Sequence, residues 1–191
     1  MRSCIPKVLL EVPCVEAGAK EHKTILRKTV DKFAEHSDCS TIVVCAPAEY
    51  LAVFSEALSG VSQVRVISGG ATRQESVRLA VELLEGLYLN LPKIPVLVHD
   101  AARCSIDMAT ISGVLSGVAA FGAVTAGVRV VDSVCRVDND RRVIGYVERE
   151  GLWGVQTPQG FLLSDLVRAH REAARDGVVA LDDAGLVARF R

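Results

Sequence analysis

The sequence predicts an α/β protein: a mostly parallel sheet with helices on both faces, and one protruding β-hairpin arm. Three observations carry that expectation. Short apolar, β-branched runs at Thr41 to Ala46, Gln63 to Ser68, Val96 to Val98 and Gly122 to Val128 alternate with segments of helical periodicity. The run at Val96 to Val98 stops abruptly at His99-Asp100-Ala101-Ala102-Arg103. That is the pattern of a buried parallel strand whose carboxyl end meets a ligand. After Val131 the character changes to mixed apolar and polar residues about Asp138-Asn139-Asp140, which reads as two strands and a turn.

Each element follows from local pattern. Val8-Leu9-Leu10 is a short apolar run after Pro6-Lys7, and residues 13–23 read as a loop. Ile25, Leu26, Val30 and Phe33 recur at helical spacing between Thr24 and His36. Pro47 ends the strand that Thr41 begins, and a helix over about residues 48–58 follows. Gly69-Gly70 breaks the next strand. Thr72 then caps a helix, with Glu75 three residues on completing a capping box and Val77, Ala80, Val81, Leu84 and Leu87 forming its apolar stripe. Helices are expected from Asp107 to Phe121, from Leu162 or Ser164 to Ala174, and from Leu181 to Arg189. Gln156-Thr157-Pro158-Gln159 reads as a polar turn. A lone hairpin buries too little to stand by itself, so the arm should pack on something, a second subunit included.

With 191 residues, the chain fits one domain with a sizeable core. Its 22 basic residues balance 23 acidic ones, which removes any general electrostatic case for nucleic acid or an anionic membrane as partner. No apolar run approaches the roughly 18 residues needed to span a bilayer. The six cysteines form no C-x-x-C pair and no Cys/His cluster of zinc-like spacing, which suggests a reduced, cytoplasmic protein with no zinc-type metal site. Cys104 has no activating histidine evident beside it.

Three segments point to one mouth of the sheet. Gly69-Gly70 through Ser76 places a glycine pair and a helix N-terminus there, whose N–H groups suit an anion or the polar edge of a base. His99 through Arg103 adds opposite charges, and Gln156 through Gln159 adds polar side chains. Taken singly, each also reads as an ordinary turn, with Asp100 and Arg103 paired and Arg73 and Ser76 solvated.

Taken together, Gly-Gly-x-x-Arg-x-x-Ser-Val (69–77), Val-His-Asp-Ala-Ala-Arg (98–103), Gly-Leu-Trp (151–153) and Gln-Thr-Pro-Gln-x-Phe (156–161) closely resemble the 2-C-methyl-D-erythritol 4-phosphate cytidylyltransferase family, in order and in spacing. Ribitol 5-phosphate cytidylyltransferases are close relatives and remain the alternative, as does a degenerate member that binds no nucleotide. The resemblance implies one Rossmann-like nucleotidyltransferase domain over 1–191, with residues 132–149 as a dimerisation arm. It implies CTP and a sugar-alcohol phosphate as ligands, Mg²⁺ as cofactor and a homodimer as the assembly. By motif position, Lys7 and Asp100 match catalytic groups, and Gly70, Ala71, Arg73, Ser76, Asp100 and Ala101 match nucleotide contacts. Arg103, Ser133, Arg149 and Thr157 match contacts to the acceptor substrate, with Arg149 reaching it from the partner subunit's arm. Trp153 and Phe161 are expected to pack, and His99 to support the turn rather than act as a base.

Departures from the family pattern are equally legible. The family opens with a strand and a Gly-rich loop, Ala-Ala-Gly-x-Gly-x-Arg-Met, and Met1 falls where that loop's methionine stands. Leu181-Asp182-Asp183-Ala184 resembles the family's Thr-Asp-Asp/Glu-Ala with leucine in place of threonine, and Cys104 replaces a proline. These departures lead to the expectation that residues 1–191 are weakly active or inactive, and that a chain extended at both ends is active.

Overall fold

The structure, a computed structural model, describes residues 5–13, 22–91 and 93–190. Lys7–Leu9 forms a single 3₁₀ turn. Two short strands, β1 (Glu11–Pro13) and β2 (His22–Thr24), pair antiparallel where the sequence suggests a loop. They lead into α1 (Ile25–Ala34), which Thr24 caps by accepting the Arg27 N–H. Next come β3 (Ile42–Ala46), α2 (Leu51–Ala57) after a 3₁₀ turn, β4 (Val64–Ser68) and α3 (Arg73–Leu87). β5 (Pro95–Val98), α4 (Met108–Phe121) and β6 (Ala123–Arg129) complete the alternating part. The hairpin is β7 (Val134–Val137) with β8 (Val143–Val147). The chain then runs through β9 (Trp153–Leu162), α5 (Leu163–Asp176) and α6 (Asp183–Arg189).

β3 pairs parallel with β4, while β5 and β6 flank β9, which is antiparallel to both. Residues just beyond β4 and β5 meet each other, Arg73 against Asp100, so these strands end at one edge of the molecule. Four strands therefore share a direction, as their alternation with helices implies, and β9 is the reversed one.

The reading of Gln156 to Gln159 as a turn is corrected here, because these residues lie inside β9. Hydropathy misleads because the inward-facing side chain there is polar. Gln159 is only 1% exposed. Its Oε1 accepts the N–H groups of Asp183 and Ala184 at 3.1 and 3.0 Å, and its Nε2 donates to Asp182 at 3.0 Å. A buried amide with such partners costs little, whereas an unpartnered one would be expensive.

β9 also separates the helix layers. A Cβ on Gly160 would lie 2.6 Å from side-chain carbons of Val114 and Val118, so only glycine lets α4 approach that face. On the opposite face Phe161, fully buried, joins Leu163, Leu166 and Leu186 of the last segments and Val81 of α3. A second core gathers Leu26, Val30, Val44, Phe54 and Leu58 around β3 and β4. Between the two halves lies a cavity of about 660 Å³, lined by Val43 and Cys45 of β3, Val96 and Val98 of β5, Ala80 and Ile111. Among the described residues, β3 pairs only with β4 and β5 only with β9. No helix among the described residues is long and apolar enough to cross a membrane.

Candidate active site

The first wall of the site is the turn between β4 and α3. The Gly69 N–H donates to the Ala46 carbonyl at 2.8 Å, which ties the end of β4 to β3. Thr72 caps α3 by accepting the Glu75 N–H at 3.1 Å. The Glu75 carboxylate reaches back to the Ala71 N–H at 2.8 Å, one residue further than in the expected capping box. Ser76 Oγ donates to the Thr72 carbonyl at 2.9 Å and accepts the Gly70 N–H at 3.1 Å. The N–H groups of Gly70 and Ala71 are thus engaged within the turn, contrary to the expectation that they stay open for a ligand. Position 70 must be glycine for a related reason: a Cβ there would overlap the Glu75 side chain.

The second wall follows β5. Asp100 is shared by two guanidinium groups, with Arg73 Nε 3.3 Å from Oδ1 and Arg103 Nε 3.0 Å from Oδ2. Arg103 also donates to Gln156 Oε1 on β9. The Asp100–Arg103 pair suggested by local sequence does form, but it belongs to a larger set. All three charged side chains stay between 36% and 44% exposed, so they are organised by one another and still accessible to a ligand.

His99 and Thr157 hold this wall in place. The Arg103 carbonyl can only accept, so His99 Nε2, 3.2 Å away, carries the ring proton. His99 Nδ1 then accepts the Thr157 hydroxyl at 3.1 Å, and Thr157 Oγ1 accepts the Asp100 N–H at 3.2 Å. Burial pushes the His99 pKa below its usual range, outweighing the hydrogen bond to Arg103 and the nearby Asp100, which raise it. A neutral ring with both nitrogens engaged supports the turn, as the sequence suggests. Thr29 of α1 adds a further tie, donating to the Ala101 carbonyl at 2.7 Å.

Sequence reasoning missed the support beneath Arg73. Arg73 Nη1 donates to Asp183 Oδ2 at 2.7 Å, and the Asp183 side chain is 2% exposed. His170 of α5 lies 3.0 Å from the other oxygen, Oδ1. Burial raises the Asp183 pKa, but hydrogen bonds from His170 and Arg73 outweigh it and hold the carboxyl below the usual range. The Leu-Asp-Asp-Ala segment is the one signal that could have found this group.

The other candidates lie around this cluster or away from it. Lys7 is exposed on its 3₁₀ turn and lines the cavity together with Arg73, Ser76, Asp100 and Ala101. Ser133 and Arg149 form a separate group at the base of the hairpin, where Arg149 donates to the Val131 carbonyl. Phe161 packs as expected. Trp153 does not: it is 54% exposed, with the Arg129 guanidinium 5.2 Å over its ring. Leu181 is fully exposed.

The model of the family described as "IspD: 2-C-methyl-D-erythritol 4-phosphate cytidylyltransferase" matches residues 17–190. A 2-C-methyl-D-erythritol 4-phosphate cytidylyltransferase of Prochlorococcus marinus is 33% identical over 88% of this chain and 73% of its own length. A bifunctional enzyme IspD/IspF of a Bradyrhizobium strain is 34% identical over 88% of this chain, which spans 42% of that longer protein. The crystal structure of the 2-C-methyl-D-erythritol 4-phosphate cytidylyltransferase from Thermus thermophilus superposes with a TM-score of 0.76 at 32% identity, over 97% of this chain and 79% of that one.

Proposed function

The chain belongs to the IspD family of 2-C-methyl-D-erythritol 4-phosphate cytidylyltransferases, and from that premise we propose that it transfers CMP from CTP to 2-C-methyl-D-erythritol 4-phosphate, a step toward isoprenoid precursors. An oxygen of the acceptor phosphate attacks the α-phosphorus of CTP in line. The new P–O bond forms as the bond to the bridging oxygen breaks, and the electron pair leaves with pyrophosphate. The nucleophile is already anionic, so no general base is required. Two arginines and a carboxylate converging where β4 and β5 end, with Thr157 alongside, carry this reading.

In that reading catalysis is positioning plus neutralisation of charge. Gly70, Ala71 and Ser76 line the base, and Arg73 braces Asp100 beside the ribose with Ala101. Lys7 faces the α-phosphate, where negative charge grows in the transition state. Arg103 and Thr157 take the acceptor, with Ser133 and Arg149 contributed by the arm of a second copy. The hairpin suits that role: Val137, Val143, Ile144 and Tyr146 are 52% to 79% exposed on a two-stranded element. Such an apolar surface favours burial against a partner, so the assembly in this reading is a homodimer, and the free thiols of Cys39, Cys45, Cys104 and Cys135 suit the reducing cytoplasm.

Mg²⁺ completes the proposal. Among the described residues no three His, Cys, Asp or Glu side chains converge on a metal-sized site. One accessible carboxylate suits this ion, which binds through one or two carboxylates plus substrate phosphates. Asp100 would hold it. Bound with the triphosphate, Mg²⁺ supplies neutralisation of phosphate charge.

Pyrophosphate release measured with CTP, Mg²⁺ and each acceptor tests the substrate. Turnover with 2-C-methyl-D-erythritol 4-phosphate is expected; turnover with ribitol 5-phosphate alone would reject it.

A further inference from the structure

α5 lays a stripe of small and apolar residues against the core, and His170 sits in the middle of it at 1% exposure. A hydrocarbon side chain would fill that place without burying two ring nitrogens. Nε2 contacts the ionised Asp183 carboxylate, which only accepts, so Nε2 bears the proton. Nδ1 is buried without a hydrogen-bond partner in the structure. A buried orphan of that kind is tolerated where the other nitrogen has a task.

That task lies one residue further on. The Asp183 main chain is fixed by Gln159 Oε1, which leaves only the side-chain torsions of its carboxylate to be set. One oxygen faces His170 and the other faces Arg73, 2.7 Å from Nη1. Arg73 in turn reaches Asp100 with Nε. Arg73 is 42% exposed and has a long, rotamer-rich side chain, so an anchored carboxylate decides where its guanidinium points.

We propose that His170 is a positioning residue for the nucleotide site, acting through Asp183 to aim Arg73 at Asp100. The proposal rests on the cytidylyltransferase reading only for what the aimed arginine serves. Without the His170 donor, one oxygen of a buried carboxylate is left bare. The carboxylate then turns or takes up a proton, and Arg73 loses its fixed partner.

The test compares His170→Leu, which removes the donor, with His170→Gln, which restores an N–H near the position of Nε2. The first readout is solvent exchange of the Arg73 Nε–H by NMR, identified by its loss in Arg73→Lys, and it needs no ligand. The second is CTP affinity by calorimetry with Mg²⁺. Loss of one charge-assisted hydrogen bond corresponds to roughly tenfold. His170→Leu is therefore expected to speed Arg73 exchange and weaken CTP binding by about that factor, with His170→Gln recovering most of both. A purely structural role would lower the melting temperature while leaving Arg73 exchange in the folded protein unchanged, and that result overturns the proposal. Should His170→Leu not fold, Asp183→Asn must speed Arg73 exchange by a similar factor, and its failure to do so is equally decisive. A wild-type chain that binds no CTP would overturn the nucleotide reading of the site, while Arg73 exchange would still decide the relay.

Discussion

The two halves of this molecule solve the same packing problem differently. The half built on β5, β9 and β6 has a central strand paired on both edges and a core in which Phe161, Leu166 and Leu186 are at most 1% exposed. Among the described residues its buried polar groups are matched except for His170 Nδ1, Gln159 alone making three hydrogen bonds. Among the described residues, the half built on β3 and β4 has two paired strands, a smaller core and one face along the 660 Å³ cavity. The halves are stitched together where the site lies. α3 follows β4 yet packs Val81 into the other core, and Thr29 of α1 holds the Ala101 carbonyl beyond β5. The well-packed half thus supplies a rigid base, while the site's adjustable charges stand at the seam.

Core truncations should separate the halves most. Phe161→Ala removes a fully buried ring from tightly packed surroundings and is expected to cost about 4 kcal/mol in denaturant unfolding. Leu26→Ala, equally buried but bordering the cavity, only enlarges an existing space and should cost nearer 2 kcal/mol. Equal costs would show that the cavity side is packed as well as the other.

Next in size is the effect at the seam. Asp100→Asn keeps the shape but removes the charge that organises Arg73 and Arg103, and is expected to lower kcat/KM about 100-fold, close to 3 kcal/mol. Its unfolding midpoint should stay near that of the wild type, because the pairs are more than one-third exposed. A large loss of stability with unchanged turnover would assign Asp100 to the fold instead.

Gln159→Ala comes third. It strips partners from the Asp183 and Ala184 N–H groups, and about 2 kcal/mol of stability should be lost. Protection from hydrogen exchange should fall first in α6, since those bonds fasten its N-terminus to β9.

The smallest effect is acid sensitivity. Burial lowers the His99 pKa below its ordinary 6.5, so the unfolded chain takes up the proton first as pH falls. The stability from a neutral His99 is therefore complete above about pH 6.5 and is lost as pH drops toward the folded-state pKa. His99→Gln should flatten the fall in Tm between about pH 7.5 and about pH 5.5. An unchanged slope would mean that His99 is not the group responsible.

How much of this was legible in the sequence follows from which side chains point inward. β3, β5 and α3 were readable because Val43, Val96 and Val81 carry apolar patterning and Thr72 marks a cap. β9 was not, because Gln159 is an inward-facing polar residue whose partners lie more than 20 residues downstream. The β1–β2 pair was too short to stand out from a loop. Arg73, Asp100 and Arg103 could be named from motif resemblance, but nothing local told that one carboxylate would serve both arginines. His170 and Asp183 escaped for the same reason as Gln159: a single polar residue in an apolar stripe looks like a break in the pattern until its partner is placed opposite.

Everything proposed for this seam turns on whether an acceptor phosphate is joined to CMP there. ³¹P NMR of the chain with CTP, Mg²⁺ and 2-C-methyl-D-erythritol 4-phosphate follows that bond directly. The phosphomonoester signal should give way, at the weak rate expected of residues 1–191, to a coupled diphosphate pair, with one pyrophosphate released for each. An unchanged phosphomonoester signal, or CMP accumulating in place of the diphosphate, would contradict the proposal.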